Sequence, residues 1–534
     1  MRHGCHSGLI VGVVLLAAGI RGGAQTPGVG VVSFPNTGAV AAQQDFLTGL
    51  AQLHNFEYGP SAALFRKAQQ TDPSFAMAYW GEAMTYNHPV WMVQDVAAAR
   101  AVLQRLGPTP EARLAKAQTE REKDYLRAVE VLYGEGDKRT RDFSYADAMD
   151  SIRRKYPDDV EAAALAALAL LGTSHDGRDF GIYMRAAAIL EPLFPANPRH
   201  PGIAHYLIHS YDDPIHAPLG LRAAREYSKI APDAAHAQHM CSHIFVATGM
   251  WDEVVAANEA AVKITGNTIA PGRLPAACGH YPTWLAYGYL QQGRIEAANE
   301  MVKQCHAQVG SSHAHWGAFI SMRARYLIDT EDWTSDVAAL VATPTQPVAI
   351  FTQEFVTAFS AIRRNDLAVA RGAAAKMQAA RSSLEKAAAS NDPAHAAMPG
   401  MAAPTDGSAL GRVRILSDEI MALLHHKDGD SRAAVELLRA AATREDALPF
   451  EFGPPYIDKP SYELLGEILL EMKEPRDARL AFEKALRRTP DRTAALSGLM
   501  KAAAQMGDTK KEAEIRARLH AIWHRADRKP TTMQ

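Results

Sequence analysis

Two histidine pairs, each spanning one helical turn, recur 34 residues apart, and this recurrence constrains the fold more than any other feature of the chain. His205 and His209 form the first i,i+4 pair, and His239 and His243 form the second. Pro198 and Pro232, Leu207 and Cys241, Ile208 and Ser242, and Tyr211 and Phe245 repeat at the same interval. A fixed period of this length marks stacked helix-turn-helix units, none of which buries its apolar face alone. The stretch from Pro198 to Trp251 holds seven of the chain's 21 histidines. Whatever the repeat builds, it builds around imidazole.

The same kind of unit is readable elsewhere. Helical periodicity starts near Ala41, and Ser61, Phe65, Ala68 and Pro73 carry a second-helix spacing with the proline that ends it. The next helix is expected to run up to Pro89, since proline disfavours helix in the residue before it. Residues 109–134 read as one longer charged helix, with shorter ones near 143–155, 158–171 and 181–193. Near the C-terminus Tyr462, Leu465, Gly466, Leu469, Ala478, Phe482, Ala485 and Pro490 form the clearest unit. There Gly466 and Ala478 let paired helices approach, and Phe482 fills the gap between units. Leu496, Leu499 and Ala503 begin another copy, and 284–305 and 422–441 are weaker ones. Apolar runs such as ALAALALL are too rich in alanine to signal strands.

These landmarks resemble the tetratricopeptide-repeat superfamily, over about two-thirds of the chain that follows the N-terminal segment. The resemblance implies an all-α fold, a tetratricopeptide-like α-solenoid of antiparallel helix pairs with some two dozen helices. It further implies a concave face, lined by the first helix of each repeat, that binds a peptide or partner protein.

Arg2, the 12-residue apolar run Leu9 to Ile20 and the small residues Gly22, Gly23 and Ala24 have the form of an export signal cleaved before Gln25. The run is too short to span a bilayer. The expected organisation is a signal at 1–24, a flexible lead at 25–40, a histidine-bearing solenoid at 41–389, a linker at 390–407, further repeats at 408–526 and a tail at 527–534. The mature chain is expected to be exported, to the periplasm or the extracellular space, without a transmembrane span. Cys241, Cys278 and Cys305 then lie in an oxidising compartment, where one disulfide among them is allowed; which one stays open. Charge is balanced, 57 basic against 59 acidic residues, which argues against a nucleic-acid partner. The chain has neither a Walker loop nor GxGxxG, so no nucleotide cofactor is expected.

On a helix, residues i and i+4 share a face, so His205 projects with His209 and His239 with His243. Packed helices lie ~8–10 Å apart, a gap that inward-reaching imidazoles span. The expected site is therefore His205, His209, His239 and His243 around one transition-metal ion (Zn, Cu, Fe or Ni), with Asp212 one i+3 step further as an additional ligand. His236 lies on the edge of the same face, His175 falls 34 residues before His209, and His280 could approach from the loop at 265–282. His54 and His88 could line the same groove; His313, His315, His425 and His426 read as turn or surface residues. Trp80, Trp91, Trp251 and Trp284 sit at core spacing. The competing reading is structural: histidines bonded to carbonyls or tyrosines in a cell-envelope interaction scaffold, or a groove for an acidic peptide. HExxH and GxSxG are absent, and GTSHDG at 172–177 lacks the strand-turn-helix setting of a nucleophile elbow. Any catalysis would run through a bound metal, and the sequence names no reaction. The loop at 444–460, rich in aromatics and proline, is unlike a plain inter-repeat turn.

Overall fold

The computed structural model describes residues 28–267, 276–309, 316–389 and 406–527. The export signal, most of the 390–407 linker, all but the first residue of the tail, and His313 and His315 lie outside the described residues. Within them are 25 α-helices. The chain is an all-α, tetratricopeptide-like solenoid in which consecutive helices pack in pairs across short turns.

Phe482 shows what builds the pairs. Its ring is fully buried between the helices Ser461–Glu471 and Thr493–Gln505. A Cβ at Gly466 would come within 2.7 Å of that ring, and one at Gly498 would overlap it. The first repeat reproduces the arrangement, with Phe65 held between Gly49 and Gly81. Helix starts follow from capping: Asp95, Asp137, Asp159, Asp179, Asp430 and Asp508 each accept a backbone N–H of the first turn.

Some expectations give way. The charged stretch 109–134 is two helices, Pro110–Leu114 and Glu120–Leu132, because Thr119 and Glu122 close a capping box that restarts the chain. The helix Ala76–Met84 stops short of Pro89, and a two-residue hairpin pairs Asn87 with Gln94 and His88 with Val93. The segment from residue 28 to 40 is no flexible lead. Val29, Val32 and Phe34 are buried, Phe34 stacks on Trp80, and the Val31 N–H donates to the Arg199 carbonyl at 2.9 Å.

Three apolar cores follow one another along the chain. The middle one, from Phe56 to Tyr287, encloses the histidine helices. The last draws on described residues from Val255 to Leu519, on both sides of the expected linker. The C-terminal repeats also return to the middle of the chain: Trp251 Nε1 donates to the Asp491 carbonyl, and Gln291 Oε1 accepts the Thr493 N–H. Among the described residues, no helix is long and apolar enough to cross a membrane.

Candidate metal centre

The helices Pro201–Tyr211 and Ala235–Ala247 carry the histidine pairs. His200 caps the first, its Nδ1 accepting the Ile203 N–H at 3.2 Å, and Pro201 fits the first turn because it has no N–H to leave unpaired. The second is capped from a distance by Glu57, which accepts the His236 N–H at 3.1 Å. His205, His209, His236, His239 and His243 are all buried, with exposures of 5% or less. They line a packed interior and not the open concave groove implied by the resemblance.

The four histidines expected to meet at one point divide instead into two triads. His205 and His209 are joined by His236; His239 and His243 are joined by His280. In each triad the ligand nitrogens lie within 4.8 Å of one another. Helical geometry explains the division. His236 precedes His239 by three residues and turns back toward the first pair, its ring 5.0 Å from that of His205. His239 faces His280 across 4.4 Å, and the triads adjoin where the His209 and His243 rings stand 5.7 Å apart.

Asp212 sits behind the rings. Its Oδ2 lies 2.9 Å from Nδ1 of His243 and 3.4 Å from Nδ1 of His209, while Oδ1 pairs with Arg178. Asp212, His209 and His243 do form a close group, but Arg178 already neutralises this carboxylate. In this arrangement it also orients two histidines. Burial opposes its charge, but Arg178, with His209 and His243, outweighs burial and holds the carboxyl far below the usual range. Arg178 also donates to the carbonyls of His209 and Ser210, which closes the end of the histidine helix.

The first triad has the chemistry of a ligand set. His205 Nδ1–H donates to the His54 carbonyl at 2.7 Å, which leaves Nε2 as a lone pair. His209 is oriented in the same sense by Asp212. The Nε2 atoms of His205, His209 and His236 are all buried, and none has a hydrogen-bond partner among the described residues. An unsatisfied buried polar atom costs about 1–3 kcal/mol, so three in one place call for a shared occupant. Burial first, and neighbouring imidazoles second, push His205 and His236 well below the ordinary histidine range. These rings are neutral at pH 7, the form that binds metal.

A third group shows the contrast. Glu161 lies 2.7 Å from His54 Nε2 and 3.0 Å from His200 Nε2, and Tyr206 OH lies 2.8 Å from His54 Nδ1. Every ring nitrogen there has a partner. Burial would raise the Glu161 carboxyl, yet His200 and His54 together hold it well below its usual range. This group is a buried brace that places the His54 carbonyl behind His205.

Aromatic side chains wall the centre. Phe56 packs its ring 4.3 Å from His205 and 5.6 Å from His236, and it does so with φ at 57°, a left-handed conformation rare for a bulky residue. Trp91 stands against His236 and Trp284 against both His239 and His243, so these two tryptophans line the centre as well as the core. The loop after the helix Ser431–Ala447 closes over the top, with Phe452 stacked on His243 at 4.7 Å. Phe56, Arg178 and Asn258 were not singled out in the sequence. His54 reaches the centre through its carbonyl; His88 stacks on Tyr58, and His175 pairs with Asp142 at 2.9 Å, so neither joins a triad. Cys278 and Cys305 form the disulfide, and Cys241 is free and buried.

No protein-family model and no curated protein matches the chain. Solved structures show a distant likeness to it. The human IFIT1 dimer with m7Gppp-AAAA is 13% identical with a TM-score of 0.35, and the match covers 92% of this chain and 91% of that one. The APC/C hetero-tetramer Cut9-Hcn1 is 14% identical with a TM-score of 0.32, over 88% and 78% of the two chains. Yeast Tom70 is 11% identical with a TM-score of 0.26, over 90% and 85%. Likeness this distant carries neither ligand nor partner across to this chain.

Proposed function

We propose that this is an exported metal-binding protein whose His205, His209 and His236 hold one transition-metal ion. The observation that carries the reading is the convergence of three buried, partnerless Nε2 atoms. The Nδ1–H of His205 and that of His209 each face an acceptor, which leaves their Nε2 atoms as lone pairs that a cation held by the three rings would take up together. A set of imidazole nitrogens suits Zn, Cu, Fe or Ni and not Ca or Mg, which take oxygen. The carbonyl behind His205 and the carboxylate behind His209 are the outer partners that metal-binding histidines normally have. Three protein ligands leave a coordination position for water or a small ligand, and Phe56 and Phe452 restrict what reaches it. Export is supported by the apolar run at 9–20 and by the Cys278–Cys305 bond, which belongs in an oxidising compartment.

The test is metal content. Untagged protein, analysed by mass spectrometry after reconstitution with Zn(II), Cu(II), Ni(II) or Fe(II), is expected to retain at least one equivalent. His205→Ala/His236→Ala should lose one. A wild-type protein that retains none of the four ions would overturn the reading and leave the histidines as structural parts of an interaction scaffold.

A further inference from the structure

The second histidine triad has its own constraints, and they do not depend on the first. His239 Nδ1 lies 2.7 Å from Asn258 Oδ1. The orientation of that amide is set by its nitrogen, which donates to the Val254 carbonyl at 2.8 Å, so Oδ1 faces His239 as an acceptor. His239 therefore carries its proton on Nδ1. His243 Nδ1 faces Asp212 Oδ2 at 2.9 Å, and an ionised carboxylate only accepts. His243 therefore carries its proton on Nδ1 as well.

The consequence is that both rings turn an Nε2 lone pair toward the same point. These two atoms are 3.2 Å apart, and His280 Nε2 comes within 2.8 Å of that of His239. Two neutral imidazoles cannot hydrogen-bond lone pair to lone pair. His280 can donate one proton to His239, but His243 is then left facing a nitrogen with nothing between them. A cation held by the three rings resolves both contacts at once.

The elements around the triad hold it in place. Asn258 comes from the helix Trp251–Asn267, packed directly against the histidine helix. His280 opens the helix His280–Gln291, two residues after Cys278, whose disulfide to Cys305 ties this turn to the helix Ile295–Val309. Trp284 packs on His239 and His243 from one side, and Phe452 covers His243 from the other.

We propose that His239, His243 and His280 hold a second transition-metal ion, so that the protein carries a two-ion centre. Asp212 links the two positions, since one of its oxygens faces Nδ1 of His209 in the first triad and Nδ1 of His243 in the second. Arg178 balances its charge. The ligand class is the same as for the first site, a nitrogen-preferring first-row ion. A two-ion centre can bind a small bridging oxygen ligand between its metals, which a single ion cannot.

The experiment is a Co(II) titration of untagged, disulfide-intact protein, followed by visible absorption, on wild type, His236→Gln and His280→Gln. Circular dichroism confirms the fold of each. Wild type is expected to break at two equivalents and each variant at one. A wild-type break at one equivalent, kept in His280→Gln and lost in His236→Gln, overturns the second site. A single break lost only in His280→Gln upholds the second site and overturns the first. The wild-type titration decides between one ion and two even where a variant folds poorly, and binding of no Co(II) overturns both.

Discussion

At the residue scale the centre depends on groups that hold the imidazoles as much as on the imidazoles themselves. Asp212 orients two of the six, and Arg178 orients Asp212. Asp212→Asn keeps the shape and an acceptor oxygen but removes the charge that fixes both tautomers. Loss of such an outer partner typically weakens metal binding 10–100-fold, so a chelator competition on the folded variant should show a loss of that size, and its apoprotein should melt lower because Arg178 stays buried beside a neutral amide. Unchanged affinity would mean that Asp212 plays no part in the site. The sequence revealed the paired spacing at 205/209 and 239/243 but not the pairing of His236 with the first set, because a period of 34 residues states which positions are equivalent and not which rings meet. Phe56 was not foreseeable at all, since a bulky residue is among the last expected in a left-handed conformation.

At the element scale the repeats are held by large rings set against glycine. The clearest case is Phe482 between Gly466 and Gly498. Gly498→Ala places a methyl group into a ring that is fully buried and has nowhere to turn. Overpacking of this kind costs about 1–3 kcal/mol, which urea denaturation would register as a lower midpoint. Gly507→Ala would be a poor control, because Gly507 has φ at 72° and is strained by any side chain; Gly372→Ala, exposed inside the helix Leu367–Ala389 with open space around its Cβ, should raise the midpoint, since alanine favours helix. This level of structure was the most legible. Gly466, Ala478 and Phe482 announce the packing by their size and spacing. The break at residues 115–119 was equally visible in principle, since Thr119 and Glu122 are a capping-box pair, but charge and helix propensity on both sides hid it.

At the scale of the whole molecule the C-terminal repeats are locked onto the middle of the chain through a buried ion cluster. Arg492 pairs with Glu463 at 2.8 Å and with Asp329, and Lys459 pairs with Glu463 at 2.8 Å. Burial by itself would raise the Glu463 carboxyl, but Arg492 and Lys459 outweigh it and lower the group to about 2. A carboxylate depressed on folding contributes its stability above the unfolded-state value and loses it as pH falls toward the folded value. From a starting pKa of 4.5 to about 2, that is about 3 kcal/mol, lost between about pH 5 and pH 2. Denaturant midpoints measured across that window should fall for wild type and flatten for Glu463→Gln, which starts from a lower stability. An equal slope in both would remove Glu463 from the account. None of this was legible in the sequence, because Arg492 and Asp329 stand 163 positions apart and no local pattern links them.

The most direct measurement of the central claim is X-ray absorption at the zinc edge of the Zn(II)-loaded, untagged protein. Bound by the buried histidines, the ion should show a nitrogen shell at ~2.0–2.1 Å together with the outer scattering of about three imidazole rings per metal. A shell dominated by oxygen or sulfur, or one without the imidazole signature, would place the metal elsewhere and contradict the assignment of His205, His209 and His236.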